Sequence, residues 1–375
     1  MQFSCESKML AQSVNIVKRA ISASNNAPIF SGIHTTLKGN ELHLIAMDNT
    51  YSMNMKLEVN GVEDGDILVP AKAIGDLLAK FDADEVLTIQ QLDGEKEMTL
   101  TAAKARGQYH IPLMDPEEYP AIPAFTSERV LELPEEVIGN LIDTTVYACS
   151  TDMSRPLYTG VYMEKKGRSL TAVGTNTHRL AIKEAELENG DDSEFSMLIP
   201  ARLLKEIGSN LNGELPEPVT LALQGRQIMA KVGNLTIISS LIEGKFPDYK
   251  RPIPPSFSNR TVFNRVDMEK AIQRVALFSQ SDYNIVRLAI DADGITLSSA
   301  VSDLGQGKEI IACQTVGDNL PLNIAFNSRY MMDFFKNCGS DKVSMETNQS
   351  LMPARLMPEG DSTYTYILTP VRVIF

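Results

Sequence analysis

The chain has 375 residues and a mass of 41.3 kDa, room for two or three packed domains without disulfide or metal staples. With 43% hydrophobic and 22% charged residues, 23 Gly and 19 Pro, it has the composition of a soluble globular protein, which excludes a disordered or collagen-like chain. A formal charge of -13, from 35 Lys+Arg against 48 Asp+Glu, excludes a global positive field and leaves any nucleic-acid contact to local charge.

In chain order, the opening MQFSCESKMLAQSVNIVKRAIS reads as a short strand feeding a helix, with Met9, Leu10, Val14, Val17 and Ile21 at near-helical spacing. LKGNELHLIAM at 37 to 47 carries a hairpin signal, PAKAIGDLLAKF at 70 to 81 a second helix, and DEVLTIQQL with KEMTLTAA further strands. The same order then returns. Leu131 and Leu133 alternate before Pro134 and Glu135 open a helix with Val137, Ile138, Leu141 and Ile142. MEKKGRSLTAVG at 163 to 174, PARLLKEIGSNL at 200 to 211, and PVTLALQ with QIMAKVG complete that second module. The third opens at TVFNRVDMEKAIQRVALF, where Asp267 is a candidate N-cap and Met268, Ala271, Ile272 and Val275 form the stripe. AIDADGITLSSA at 289 to 300, NSRYMMDFFKNC at 327 to 338 with Asn327 or Ser328 as cap, then KVSMETN and STYTYIL, close it.

A period of roughly 125 to 130 residues thus divides the chain into three α+β modules, each with two helices backed by antiparallel strands. Polar, proline-containing junctions at 115 to 129 and 247 to 261 give domains over 1–125, 126–253 and 254–375. The scattered cysteines Cys5, Cys149, Cys313 and Cys338 form no metal or disulfide pattern and fit a reducing cytosol. No export signal or stretch of about 18 apolar residues appears, so no membrane partner is expected.

The six helices, taken as 5–20, 70–81, 134–147, 200–211, 264–278 and 327–338, carry twelve basic and nine acidic residues, so the net acidity belongs to the strands and loops. Lys8, Lys18, Arg19, Lys72, Lys80, Arg202, Lys205, Arg265, Lys270, Arg274, Arg329 and Lys336 are the candidate phosphate-facing groups. Taken one at a time, basic residues on exposed helices are ordinary solubilising groups; the threefold organisation is what gives them weight. No Trp is present and no aromatic and basic alternation suggests a single-strand stacking groove, so duplex contact without base reading fits better.

The repeat, together with GTNTHRLA at 174 to 181, EGKFPDYKRPIP at 243 to 254 and the terminal YTYILTPVRVIF, resembles the bacterial DNA polymerase III beta-subunit family of sliding clamps over essentially the whole chain. The resemblance implies a closed ring of repeated DNA-clamp domains, formed by a head-to-tail homodimer around double-stranded DNA irrespective of its sequence. It implies a noncatalytic processivity factor with no cofactor, cytoplasmic and associated with the nucleoid or replication fork. The implied partners are the replicative DNA polymerase alpha subunit, the clamp-loader delta subunit, and repair and translesion polymerases.

Carried over residue by residue, the family's peptide pocket falls on Tyr158, Gly174, Thr177, His178, Arg179, Leu180, Pro247, Arg251, Ile367, Thr369, Pro370, Val371 and Arg372. Subunit closure falls on Arg106, Tyr109 and Ile111 of one chain against Leu277 and Phe278 of the other. Leu180, Ile367, Val371, Tyr109 and Phe278 also read as plain core residues, and Arg179 and Arg251 as structural ion-pair partners. The chain departs from the family in SNNAPIF at 24 to 30, in lacking an acid within GTNTHRLA, in Thr369 where methionine is common, and in a longer tail through Val373, Ile374 and Phe375. The first departure points to a loop contact to DNA that is missing or supplied by Lys18 and Arg19, the later ones to altered peptide preference, and all of them to a divergent secondary clamp. A noncatalytic peptide-binding scaffold that does not encircle DNA is the alternative. No Walker A, dinucleotide, HExxH or nucleophile-elbow motif and no metal-ligand cluster supports an enzyme, and His178 has no aligned catalytic partner.

Overall fold

The computed structural model describes residues 1–375 except 23–26, 93, 123–124, 128, 189–190, 216, 280–283 and 374–375. Part of the SNNAPIF segment, and Ile374 and Phe375 of the tail, therefore lie outside the described residues. The first repeat runs β1 (Gln2–Glu6), α1 (Ser7–Val17), β2 (Gly32–Lys38), β3 (Glu41–Met47), β4 (Tyr51–Glu58), β5 (Asn60–Glu63), β6 (Gly65–Pro70), α2 (Ala71–Leu78), β7 (Val86–Gln90), β8 (Glu97–Ala102) and β9 (Gln108–Pro112). The second runs β10 (Arg129–Leu133), α3 (Glu135–Thr145), β11 (Gly160–Lys166), β12 (Ser169–Thr175), β13 (Arg179–Glu186), β14 (Glu194–Pro200), α4 (Ala201–Ser209), β15 (Val219–Gln224), β16 (Gln227–Val232) and β17 (Leu235–Ser240). The third runs β18 (Asn259–Asn264), α5 (Arg265–Ala276), β19 (Ile285–Ile290), β20 (Gly294–Ser298), β21 (Lys308–Gly317), β22 (Leu322–Asn327), α6 (Ser328–Asn337), β23 (Lys342–Thr347), β24 (Ala354–Pro358) and β25 (Tyr364–Leu368).

Two compact units result, residues 1–135 with 210–240, and residues 136–209 with 241–375. They cut across the sequence repeats because sheets run through the repeat borders. In the first unit one sheet has the order β5-β1-β7-β8-β9, and a second joins β10-β15-β16-β17 to β4-β3-β2-β6 through the antiparallel pair β17·β4. The second unit holds a single twelve-stranded order, β14-β11-β12-β13-β25-β24-β23-β18-β21-β20-β19-β22, in which β13·β25 is the corresponding joint.

Alternation dictates which faces are buried. In β1, Phe3 and Cys5 turn inward, and with Leu10 and Val14 of α1 and Ile74 of α2 they cover the sheets of the first unit. In the second unit, Met268, Ile272 and Val275 of α5 and Met331, Phe334 and Phe335 of α6 meet Val286, Leu288, Phe326, Tyr364 and Tyr366 from the strands. Each such large side chain contributes about 1.5–3 kcal/mol by leaving water. Phe334 stacks on Tyr366 at 5.1 Å between ring centroids, and the hydroxyls of Tyr147 and Tyr364 lie 2.6 Å apart, so the polar ends of these buried rings are satisfied inside.

The predicted helices are present but each is shorter by a few residues, and α1 and α3 finish in tight 3-10 turns over Lys18–Ala20 and Val146–Ala148. Capping separates two of the expectations. Asp267 is not the N-cap of α5. Asn264, in an extended conformation, is the cap and accepts from the Asp267 backbone N–H at 3.1 Å, leaving Asp267 in the first turn. At α6 the choice falls on Asn327, whose side chain accepts from Arg329 and Tyr330. Replacing Asn264 by Ala is expected to cost about 1 kcal/mol, whereas Asp267→Asn costs a few tenths. Melting temperatures of the two variants check this, and an equal or reversed ranking would return the cap to Asp267.

Candidate functional site

Within the second unit, the β12–β13 turn, the start of β13, the single turn Pro156–Tyr158, the segment after β17 and the end of β25 enclose a cleft of about 190 Å³. Its lining is Tyr158, Thr175, Thr177, Arg179, Leu180, Phe246, Pro247, Asp248, Tyr249, Pro252, Ile367 and Thr369. The floor is apolar because the β13·β25 register sets Leu180 directly opposite Ile367, both buried, in one cluster with Val173, Ile182, Leu198 and the cleft-lining Phe246. Phe246 lies flat on Tyr162, with ring centroids 4.9 Å apart and planes within 2°. An apolar floor with a few polar groups at the rim suits a short peptide with hydrophobic side chains.

The rim is held by a tight turn. Thr175 Oγ1 accepts from the Thr177 N–H at 3.1 Å and donates to the Arg179 carbonyl at 2.6 Å, while Asn176 Oδ1 accepts from the backbone N–H groups of His178 and Arg179. These bonds hold Thr177 at φ +77°, an unusual conformation for a β-branched residue.

Arg179 forms one wall and its charged end is already engaged. The guanidinium, 8% exposed, donates through Nη1 to Asp333 Oδ2 and through Nη2 to the Tyr147 carbonyl, and its centre lies 4.4 Å from the Tyr330 ring centroid. Burial raises the phenol pKa values of Tyr147, Tyr364 and Tyr366 well above the usual range, so those hydroxyls stay neutral and Asp333 is the counter-charge.

Of the residues assigned to the pocket by resemblance, Tyr158, Thr177, Arg179, Leu180, Pro247, Ile367 and Thr369 line this cleft. Gly174, His178, Arg251, Pro370, Val371 and Arg372 do not line it. Gly174 lies beneath the turn, where a Cβ would meet the Thr145 carbonyl oxygen at 2.1 Å. His178 is exposed and accepts through its carbonyl from the Thr369 N–H at 3.0 Å. Arg251 is exposed, and the chain after Pro370 bonds to Ala325 through the Val371 N–H at 2.7 Å. Thr175, Phe246, Asp248, Tyr249 and Pro252 were not assigned, although the FPDY string carried a signal for three of them.

Among the basic residues, Lys8, Lys72, Lys80, Lys205, Lys270, Arg329 and Lys336 are exposed and make no ion pair among the described residues. Arg19 and Arg202 are also exposed, and Lys18 is half-buried with its Nζ over Gly75. Arg274 is engaged by both oxygens of Glu309 at 2.6 Å, and Arg265 binds Glu269 at 3.2 Å and the Ser340 carbonyl at 2.8 Å. Helix α3 carries no cation. At the proposed closure edges, Arg106 and Tyr109 are exposed and Tyr109 packs edge-on against Phe81, whereas Ile111 is buried in the first unit. Leu277 is 72% exposed, and Phe278 lies half-buried against Gly305 and Gly307.

Burial raises the thiol pKa values of all four cysteines, to about 12 for Cys5 and Cys149, which suits inert core residues. No cluster of three or more His, Cys, Asp or Glu among the described residues is arranged to hold a metal ion, and no helix among them is long and apolar enough to cross a membrane.

Models of the N-terminal, central and C-terminal domains of the DNA polymerase III beta subunit match residues 1–123, 132–248 and 250–372. A beta sliding clamp of Staphylococcus epidermidis is 28% identical over 382 residues, covering 99% of both chains. The structure is similar to a DNA polymerase sliding clamp from Bacillus subtilis at TM-score 0.92 and 25% identity, covering all of both chains. It is similar to a DNA polymerase III beta chain from Streptococcus pneumoniae at TM-score 0.91 and 27% identity, covering 99% of this chain and 100% of that one.

Two outcomes are expected. Gly174→Ala costs about 1–3 kcal/mol by forcing β12 away from Thr145, seen as a lower melting temperature; an unshifted melt would remove the close approach as the reason for glycine. A disulfide reagent at pH 8 titrates no cysteine in the folded protein and four after denaturation, and rapid labelling of the native chain would contradict the buried assignment.

Proposed function

The chain belongs to the DNA polymerase III beta-subunit family, and from that premise we propose how its surfaces do the work of a clamp. The protein is a noncatalytic processivity factor that encircles duplex DNA, slides along it and tethers a polymerase, so that the next encounter with the primer end happens at high effective concentration. The alpha subunit of the replicative polymerase, the delta subunit of the clamp loader, and repair and translesion polymerases are its proposed peptide-bearing partners. Its proposed place is the cytoplasm, at the nucleoid or replication fork.

The observation that carries ring closure is the repeated joint between sheets. At both joints within the chain, the third strand of one repeat's hairpin ladder (β4, β13) pairs with the last strand of the next repeat (β17, β25). The equivalents left over are β21 of the third repeat and β9 of the first. Strand β9 pairs with β8 alone, and residues 308–312 of β21 pair with β20 alone, so each keeps an open edge among the described residues. Open edges recruit strands.

Register follows from the repeat. Buried Leu42, Leu170 and Ile295 hold the same phase opposite Leu57, Ala185 and Ile311, and Tyr109, Ile237 and Tyr366 occupy the same rung of their ladders. Carrying Met53↔Ile237 and Ala181↔Tyr366 over to two chains sets Gly307 opposite Tyr109, and Lys308 opposite Gln108. Gly307 then has a second role, since it leaves room for the tyrosine ring beside Phe278. Exposed Leu277, Leu304 and Ile310 supply apolar surface at the same end of the third repeat.

The unpaired cations of five helices would contact phosphate without reading bases, and the cleft of the second unit would take the partners' short hydrophobic segments. Loader-dependent retention on a nicked circle, lost when the circle is linearised, tests the ring; a persistent monomer never retained on DNA would instead favour a peptide-binding scaffold. For the register, Gln108→Cys with Lys308→Cys is expected to form disulfides between chains, while Gln108→Cys with Gln306→Cys, a diagonal pair, does so poorly. The opposite order of yields would overturn the proposed pairing.

A further inference from the structure

Helix α6 connects the two surfaces assigned above. Its buried face is Met331, Phe334 and Phe335, while Arg329, Asp333 and Lys336, spaced four and three residues apart, fall on one outer stripe. Asp333 is the single acid of this helix and its side chain is 36% exposed, so it sits between two of the cations proposed to face phosphate. It does not pair with Arg329 four residues earlier. It pairs with Arg179, the wall of the peptide cleft.

A second bond follows the same route. Asn176, whose Oδ1 holds the cleft's strained turn, donates through Nδ2 to the Tyr330 hydroxyl at 3.2 Å, and the Tyr330 ring lies under the Arg179 guanidinium. The cleft's rim and wall are therefore both referred to α6.

We propose that the Arg179–Asp333 pair is a positioning element shared by the two surfaces: it fixes the cleft wall and cancels a carboxylate on the phosphate-facing stripe of α6. The inference rests on the clamp reading. Removing Arg179 should harm both surfaces, by loosening the wall and by exposing an uncompensated negative charge beside the duplex. Removing the Asp333 charge should harm the cleft alone and make the stripe more positive.

Two probes separate these effects: a fluorescent decapeptide carrying the hydrophobic clamp-binding segment of the cognate polymerase, and a fluorescent 30-base-pair linear duplex, which threads the ring without a loader. Both are titrated at 20 to 150 mM salt with the intact dimer. Asp333→Asn is expected to weaken peptide binding about tenfold and to tighten duplex binding about threefold at low salt. Arg179→Ala is expected to weaken both. The double variant should bind peptide no worse than either single variant, yet regain duplex affinity, and Asp333→Glu should recover much of the peptide affinity. Where Arg179→Ala lowers the melting temperature steeply, Arg179→Lys serves, keeping duplex affinity while losing peptide affinity, because a lysine cannot make both bonds. Additive peptide losses, or duplex binding indifferent to Asp333→Asn, would overturn the coupling and leave the clamp reading standing. A wild-type chain that binds neither probe would overturn both.

Discussion

The requirement that a β-strand find a partner for each edge organises this protein more than any single core contact does. Within each repeat, two apolar-striped helices bury the inner faces of strand ladders, but the ladders do not end where the repeats end. They continue through β4·β17 and β13·β25, and this is why the compact units straddle the sequence period. A chain of three repeats made this way keeps one joint half unmade at each end, and the proposed association of two chains would use the same backbone chemistry that joins repeats inside one.

The cleft is a by-product of one of those joints. Pairing β13 with β25 brings Leu180 against Ile367 and aligns Arg179 with Leu368, residues from repeats two and three. The β12–β13 turn that leads into this register is held by the side chains of Thr175, which also lines the cleft, and Asn176. The joint at β4·β17 has an analogous beginning: Pro28–Ser31 precedes β2 as Pro156–Tyr158 precedes β11, and Tyr119 lies buried in a cluster with Met47 and Leu68.

How much of this was legible in the sequence depended on the distance over which each feature is determined. Periodicity over ten residues located the six helices and the hairpins, since amphipathic burial is a local pattern. Capping was less legible, because Asn264 and Asp267 are both good caps and only the turn geometry separates them. The joint between strands could not be read from spacing. Nor could the Arg179–Asp333 pair, whose members lie 154 positions apart, or the engagement of Arg274 by Glu309, which takes a cation out of the pool counted from composition. Resemblance named the neighbourhood of the cleft, but grouped residues that line it with Gly174, which acts from behind by letting β12 approach Thr145.

Charge shows the same division between count and placement. The net -13 of the chain coexists with exposed, unpaired cations on the helices, so the average says little about what a duplex would meet. Placement also decides what an acid does. Asp333 stands on the same stripe as Arg329 and Lys336, and in isolation it would offset half of their charge. Held by Arg179, it instead gives a buried guanidinium its counter-charge while adding nothing negative to the stripe. A buried cation needs a partner, and drawing that partner from α6 makes the cost of burying Arg179 depend on a helix that also carries the exposed cations Arg329 and Lys336.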